Sequence, residues 1–85
     1  MLRISHDASP NGKIVLWLEG QVSGPWVEEL RRSCEQALAM GSDLILDLTD
    51  VSFIDRDGVA LCDNLKSRDV MFLHCSPFVA EQLKQ

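Results

Sequence analysis

The side chains of this sequence with chemistry to offer gather in two places. The first is Asp55-Arg56-Asp57-Gly58, where two carboxylates flank an arginine and stand just before a glycine. A helix starting there would present free N–H groups and the positive end of its dipole, and both favour an anion. Asp57 then reads as the N-cap, while Asp55 holds the preceding loop through Asx-type hydrogen bonds. The second place is His74-Cys75. At the carboxyl end of a parallel strand, where α/β proteins place their sites, His74 could approach Asp55 and Asp57 as a proton-sensitive pair, although core or edge packing is the favoured reading for both His74 and Cys75. Cys75 invites comparison with a nucleophile, but neighbours on a strand point to opposite faces, so the two form no dyad. There is no Gly-rich phosphate cradle and no oxyanion-hole motif, and catalysis is not expected.

The remaining composition closes further doors. Cys34, Cys62 and Cys75 are odd in number and far apart, which suits neither a disulfide framework nor a zinc site. With His6 and His74 as the other candidates, no metal-ligand spacing is present and no cofactor is implied. The 8 Lys+Arg against 13 Asp+Glu leave a net charge of −5. Such a chain lacks the positive field that draws nucleic acid or an anionic membrane surface. Its longest apolar run, Ile14 to Leu18, is far too short to span a bilayer, and the N-terminus lacks the apolar core of a signal peptide. With thiols expected to stay reduced, the compartment implied is the cytoplasm. A chain of 85 residues, 46% hydrophobic and 25% charged, is expected to fold as one domain over residues 1–85. At this size about 60–65% of the unfolded surface is buried, with no room for a separate cofactor domain.

The elements that must position these residues follow from periodicity. Leu2-Arg3-Ile4-Ser5 alternates as a half-buried strand does. Asp7-Ala8-Ser9-Pro10-Asn11-Gly12 collects turn formers. Lys13 to Glu19 forms a second strand, with Ile14, Leu16 and Leu18 on one face and Val15 and Trp17 on the other, completing an antiparallel hairpin. Gly20 to Gly24 reads as loop, and Pro25 suits the first turn of a helix. Val27, Leu30, Cys34, Ala37 and Leu38 recur at helical spacing, opposite Glu28, Glu29, Arg31, Arg32 and Glu35, with Arg31 and Glu35 spaced to pair. Gly41 closes that helix.

Leu44 to Leu48 reads as a central strand covered on both sides. Gly58 to Lys66 carries a second amphipathic pattern, with Gly58, Leu61, Cys62 and Leu65 inward and Ala60, Asp63 and Asn64 outward. Val70 to Cys75 is another buried-type strand. Ser76-Pro77 caps a short helix over Phe78 to Lys84. Trp26 is expected to be buried, and Met40 and Met71 to fill core gaps. The order β-β-α-β-α-β-α implies an α/β fold, a mixed sheet of about four strands with helices packed on it. Strands 44–48 and 70–75 should be parallel, with a right-handed crossover.

One stretch resembles a known signature. Asp47-Leu48, Phe53-Ile54-Asp55 and Gly58-Val59-Ala60-Leu61 are similar to the strand, apolar-Asp-Ser-Ser-Gly loop and helix start of the STAS domain, the fold of bacterial anti-sigma-factor antagonists. Upstream, Leu18-Glu19-Gly20-Gln21-Val22 is similar to that family's Leu-x-Gly-x-apolar strand end. The resemblance spans most of the chain in the same element order. It implies a STAS-like, non-enzymatic interaction module that binds a kinase-type anti-sigma factor. The partner surface it implies consists of Asp55, Arg56, Asp57, Gly58, Val59, Ala60 and Asp63.

The departures from the pattern bear on function. The family's phosphorylated serine, just before the glycine, is Asp57 here, and the other motif serine is Arg56. Phosphorylation is therefore not expected at this loop, and nothing in its spacing makes Ser52 a substitute. Asp57 supplies about one negative charge where phosphoserine supplies about −1.5 to −2. Either the loop is held in something like the phosphorylated state or phosphorylation-based partner switching has been abandoned, with Asp57 acting as a cap; the second is favoured. Family members commonly continue with a further strand and helix. A chain stopping at Gln85 would leave a sheet edge bare, which invites a partner or a dimer mate. Two other functions stay open: an accessory subunit of an ABC lipid-trafficking transport system, and a small-ligand or nucleotide sensor.

Overall fold

A computed structural model describes residues 2–8 and 11–83. Strands β1 (Leu2–Ala8) and β2 (Lys13–Val22) pair antiparallel, Ile4 opposite Leu18 and His6 opposite Leu16. Part of the expected turn, Ser9-Pro10, lies outside the described residues, and Gly12 beside it takes φ 78°. Helix α1 (Pro25–Ala39) begins with proline at its first turn and is followed by Gly41 at φ 75°. Strand β3 (Asp43–Ile54), helix α2 (Arg56–Lys66), strand β4 (Met71–Leu73) and helix α3 (Pro77–Leu83) complete the expected order. The four strands lie in the order β1-β2-β3-β4, and β3 is parallel to both β2 and β4.

The alternation of each strand decides which face meets the helices. Leu16, Leu18, Leu44, Leu46 and Leu48 point to one side and are buried with Val27, Leu30 and Cys34 of α1, Leu61, Cys62 and Leu65 of α2, and Val79 and Leu83 of α3. Each such side chain stabilises the fold by about 1.5–3 kcal/mol through burial. Helix α1 packs on β2 and β3, α2 and α3 pack on β3, and successive helices touch. Helices therefore cover one face of the sheet. The other face carries Val15, Trp17, Ile45, Met71 and Leu73, and Trp17 and Met71 remain 43% and 57% exposed.

Several expectations need correction. Strand β3 is covered by helices on one side rather than both, and it runs six residues past Leu48. Two register shifts against β2, after Trp17 and after Gly20, let Val51 and then Ile54 turn back into the core. Strand β2 likewise extends to Val22, which is buried. Strand β4 stops at Leu73 because His74 adopts φ 59°, outside strand geometry. Met40 and Met71 are exposed, not core fillers. Arg31 bonds Glu28 at 3.2 Å rather than Glu35, which instead takes a two-pronged contact from Arg68 at 2.7 and 2.9 Å. Trp26 is half-buried against the core. Lys84, the expected end of α3, lies outside the described residues.

Candidate functional site

The loop between β3 and α2 is organised by Asp55. Its Oδ1 accepts from the Gly58 N–H at 2.8 Å, and its carbonyl accepts from the Val59 N–H at 2.9 Å. Asp55, not Asp57, is therefore the N-cap. The reason is reach: a capping oxygen meets the N–H two or three residues on, which from Asp55 is Gly58. The second oxygen, Oδ2, accepts from the Gly24 N–H at 2.9 Å. Gly24 precedes α1 with φ 57° and ψ −136°, a backbone conformation available essentially to glycine. One carboxylate thus ties the starts of two helices together, as the expected Asx-type role foreshadows on a larger scale. The Asp55 N–H also donates to the Val22 carbonyl at 3.0 Å, continuing the sheet.

Gly58 is buried, and its place in the expected partner surface needs revision. A Cβ there would stand 2.6 Å from Ile54 Cγ2 and 2.8 Å from the Val22 carbonyl oxygen, so the residue lets α2 approach the sheet. Arg56, Asp57, Ala60 and Asp63 are exposed, and Val59 is half-buried. The Asp57 carboxylate makes no hydrogen bond or ion pair among the described residues and lies in the first turn, where the helix dipole favours it. Ser52 is exposed, its hydroxyl donating to the Gly20 carbonyl at 3.3 Å.

A contact with no signature in the sequence holds this loop from the other side. The Gln82 amide accepts from the Ile54 N–H at 3.0 Å and donates to the Ile54 carbonyl at 2.6 Å, as a neighbouring strand would. A lone glutamine on a short helix carries no pattern that points to such a role. Between it and the loop lies a shallow cavity of about 230 Å³ lined by Ile54, Asp55, Arg56, Val59 and Gln82. That is smaller than the 300–1,000 Å³ typical of sites for small molecules.

Comparison with solved structures places this geometry. The anti-sigma-factor antagonist SpoIIAA in its unphosphorylated form superposes with a TM-score of 0.77 at 20% identity, covering 96% of this chain and 82% of that one. A STAS domain of an anti-sigma-factor antagonist from Rhodobacter sphaeroides gives 0.65 at 20% identity, covering 87% of each chain. A Shewanella loihica protein with a SpoIIAA-like fold gives 0.61 at 15% identity, covering 91% of this chain and 69% of its own. The chain has the SpoIIAA-like fold. At these identities the likeness is one of fold. No family model matches the sequence, and no curated protein matches it significantly.

Within this SpoIIAA-like fold the second expected cluster is assembled differently. His74 does not join Asp55 and Asp57; its Nδ1 lies 3.0 Å from Asp47 Oδ2. Asp47 is buried and also accepts from the Trp17 indole N–H at 3.1 Å, the Thr49 N–H at 3.0 Å and the Thr49 hydroxyl at 2.5 Å. Burial pushes its pKa up, but the Thr49 bonds and His74 outweigh that and hold it down at about 2. Read from the sequence as a motif residue alone, Asp47 is the best-bonded carboxylate on the open face of the sheet.

Burial pushes Cys34 and Cys62 up to about 12, and Cys75 is raised by the same cause. Among the described residues no three His, Cys, Asp or Glu side chains cluster as metal ligands. Among the described residues no helix is long and apolar enough to cross a membrane.

Proposed function

We propose that the chain is a non-enzymatic protein-interaction module, resembling an anti-sigma-factor antagonist, that meets a kinase-type anti-sigma factor in the cytoplasm. The contact surface is Arg56 and Asp57 with the outer face of α2, Val59, Ala60 and Asp63; Asp55 and Gly58 shape it from beneath. The observation that carries this reading is the division of labour at the loop. Asp55 does the capping and the bonding to Gly24, which leaves the Asp57 carboxylate displayed to solvent with no hydrogen bond or ion pair among the described residues. The likeness in fold to two anti-sigma-factor antagonists supports the choice of partner class.

Carboxylate at Asp57 accepts no phosphate from a serine kinase, so the interaction is not switched at this residue. A nucleotide-sensing role is less well supported, because the Asp55 carboxylate already occupies the helix N-terminus where a phosphate would sit. The test is calorimetric titration against the host's kinase-type anti-sigma factor. Asp57→Ala is expected to weaken binding about tenfold, a loss of about 1.4 kcal/mol, while the melting temperature falls by no more than about 4 °C, as loss of a small helix-dipole interaction implies for a domain of this size. Unchanged affinity removes Asp57 from the interface, and absence of binding by the unaltered protein overturns the choice of partner.

A further inference from the structure

We infer that the groove between the end of α2, strand β4 and α3 binds a small aliphatic carboxylate, with its head group on Lys66 and its chain along Phe72, Cys75 and Ala80. The groove lies at the opposite end of α2 from the Asp55–Gly58 loop, so the inference stands apart from the partner reading. It exists because β4 is short. Of its three residues, Met71–Leu73, Phe72 is the one that points inward, level with the buried Leu46. Helices α2 and α3 pack on β3 and on each other, which leaves Phe72 half-buried at the edge of the sheet. The space beside it has a volume of about 350 Å³ and is lined by Lys66, Val70, Phe72, Cys75, Ala80 and Leu83.

That volume falls within the 300–1,000 Å³ of small-molecule sites, whose walls are mostly apolar with a few placed polar groups. Val70 and Leu83 are buried, while Phe72, Cys75 and Ala80 are half-buried and present the apolar wall. Burial raises the pKa of the Cys75 thiol, so it stays protonated and adds no charge to that wall.

The one charged lining residue specifies the head group. Lys66 ends α2, and its ammonium stands 5.7 Å from the centre of the Phe72 ring. Asp63 lies one turn back, yet among the described residues Lys66 makes no ion pair. The attraction of the ring keeps the cation beside the apolar wall, where a head group bonded to it leaves its chain against Phe72. A single cation matches a monoanion, and the net charge of −5 disfavours a dianionic phosphate. The last carbonyls of α2 would oppose an anion if they were bare. Those of Asp63, Asn64, Leu65 and Lys66 each accept a hydrogen bond from the following turn.

Titration of nitrogen-15-labelled protein with sodium octanoate, followed by amide chemical shifts, tests the inference. Saturable shifts are expected at Lys66, Val70, Phe72, Cys75 and Ala80. The dissociation constant should be on the order of 0.1–1 mM, as befits about ten non-hydrogen atoms in an open groove. Burying one methylene strengthens binding about fourfold, so octanoate is expected to bind at least about fivefold more tightly than hexanoate. Lys66→Gln is expected to weaken octanoate at least about fivefold and to leave neutral octanamide unchanged. Ala80→Leu fills the groove and is expected to abolish binding of both, with unshifted amides elsewhere showing that the variant is folded. The inference is overturned by the absence of saturable shifts up to about 10 mM octanoate, or by equal affinity for hexanoate and octanoate. Undiminished binding to Lys66→Gln, or tighter binding of octyl phosphate than of octanoate, overturns it as well.

Discussion

Two aspartates two residues apart in the loop do different things, because a capping oxygen reaches a particular N–H and no other. Asp55 uses both carboxylate oxygens, one on Gly58 and one on Gly24, whereas Asp57 uses neither. Asp55→Ala is therefore expected to cost about 2 kcal/mol in urea denaturation, the sum of a lost cap and a lost charge-assisted bond. Asp55→Asn keeps one acceptor, for the Gly58 cap, and should fall about midway; an Asn variant as stable as the unaltered protein would mean that the Gly24 bond contributes nothing. Asp47 gives the residue-scale dependence on pH. Its folded pKa of about 2 lies below the usual carboxylate value of about 3.9. The unfolded chain thus binds the proton more readily, so the stabilisation from Asp47 is complete above about pH 4 and is lost as pH falls towards 2. Acid titration of stability in Asp47→Asn should show a shallower slope across that window than in the unaltered protein. Equal slopes would locate the acid sensitivity in other carboxylates.

Among the elements, α3 is held by a side chain that imitates a strand. Gln82 satisfies both backbone groups of Ile54, the last residue of β3, directly before the capping aspartate. Gln82→Ala removes both bonds and is expected to destabilise the protein by about 1–2 kcal/mol and to speed amide exchange at Ile54 about tenfold. Exchange at Ile54 unchanged from the unaltered protein would show that packing of Val79 and Leu83 holds α3 unaided. The clasp also marks where the sequence stops being informative. Helix α1 was legible because Pro25, the Val27-Leu30-Cys34-Ala37 stripe and Gly41 all agree on it, and the inward face of β2 because Leu16 and Leu18 alternate with Val15 and Trp17. The extension of β3 was not, since the register shifts opposite Trp17–Glu19 and Gly20–Gln21 break the alternation that would announce it. Nor was the early end of β4, which rests on a left-handed His74 held by Asp47 from the neighbouring strand. Met71 misled for a related reason, as its exposure depends on which sheet face stays uncovered, and Met40 because it falls at the C-cap of α1 rather than on its apolar stripe. At the candidate site the sequence located the loop and its exposed residues, but assigned the cap to the wrong aspartate and missed Gln82.

For the whole molecule, the arrangement of the core implies one cooperative unit in spite of its one-sided construction. A single cluster runs from Leu2 on β1 to Leu83 on α3 and includes side chains of all three helices. No element has a core of its own that would survive loss of the others. The two tryptophans report this from opposite sides, Trp17 from the open face and Trp26 from the start of α1 against the core. Trp17→Phe and Trp26→Phe each leave one fluorophore, and urea unfolding followed by its fluorescence can be set beside circular dichroism of the same sample. Within each variant the two transitions are expected to coincide, with a slope of about 1 kcal/mol per molar urea as befits the low end of the size range. Trp17→Phe is the milder change, because its indole N–H is one of several donors to Asp47 and the ring lies on the uncovered face of the sheet. A Trp26 transition that precedes loss of secondary structure would show α1 detaching from the sheet before the rest unfolds. It would also sever the Gly24–Asp55 bond early, making the candidate interaction loop dependent on α1 and dividing the chain into two cooperative parts.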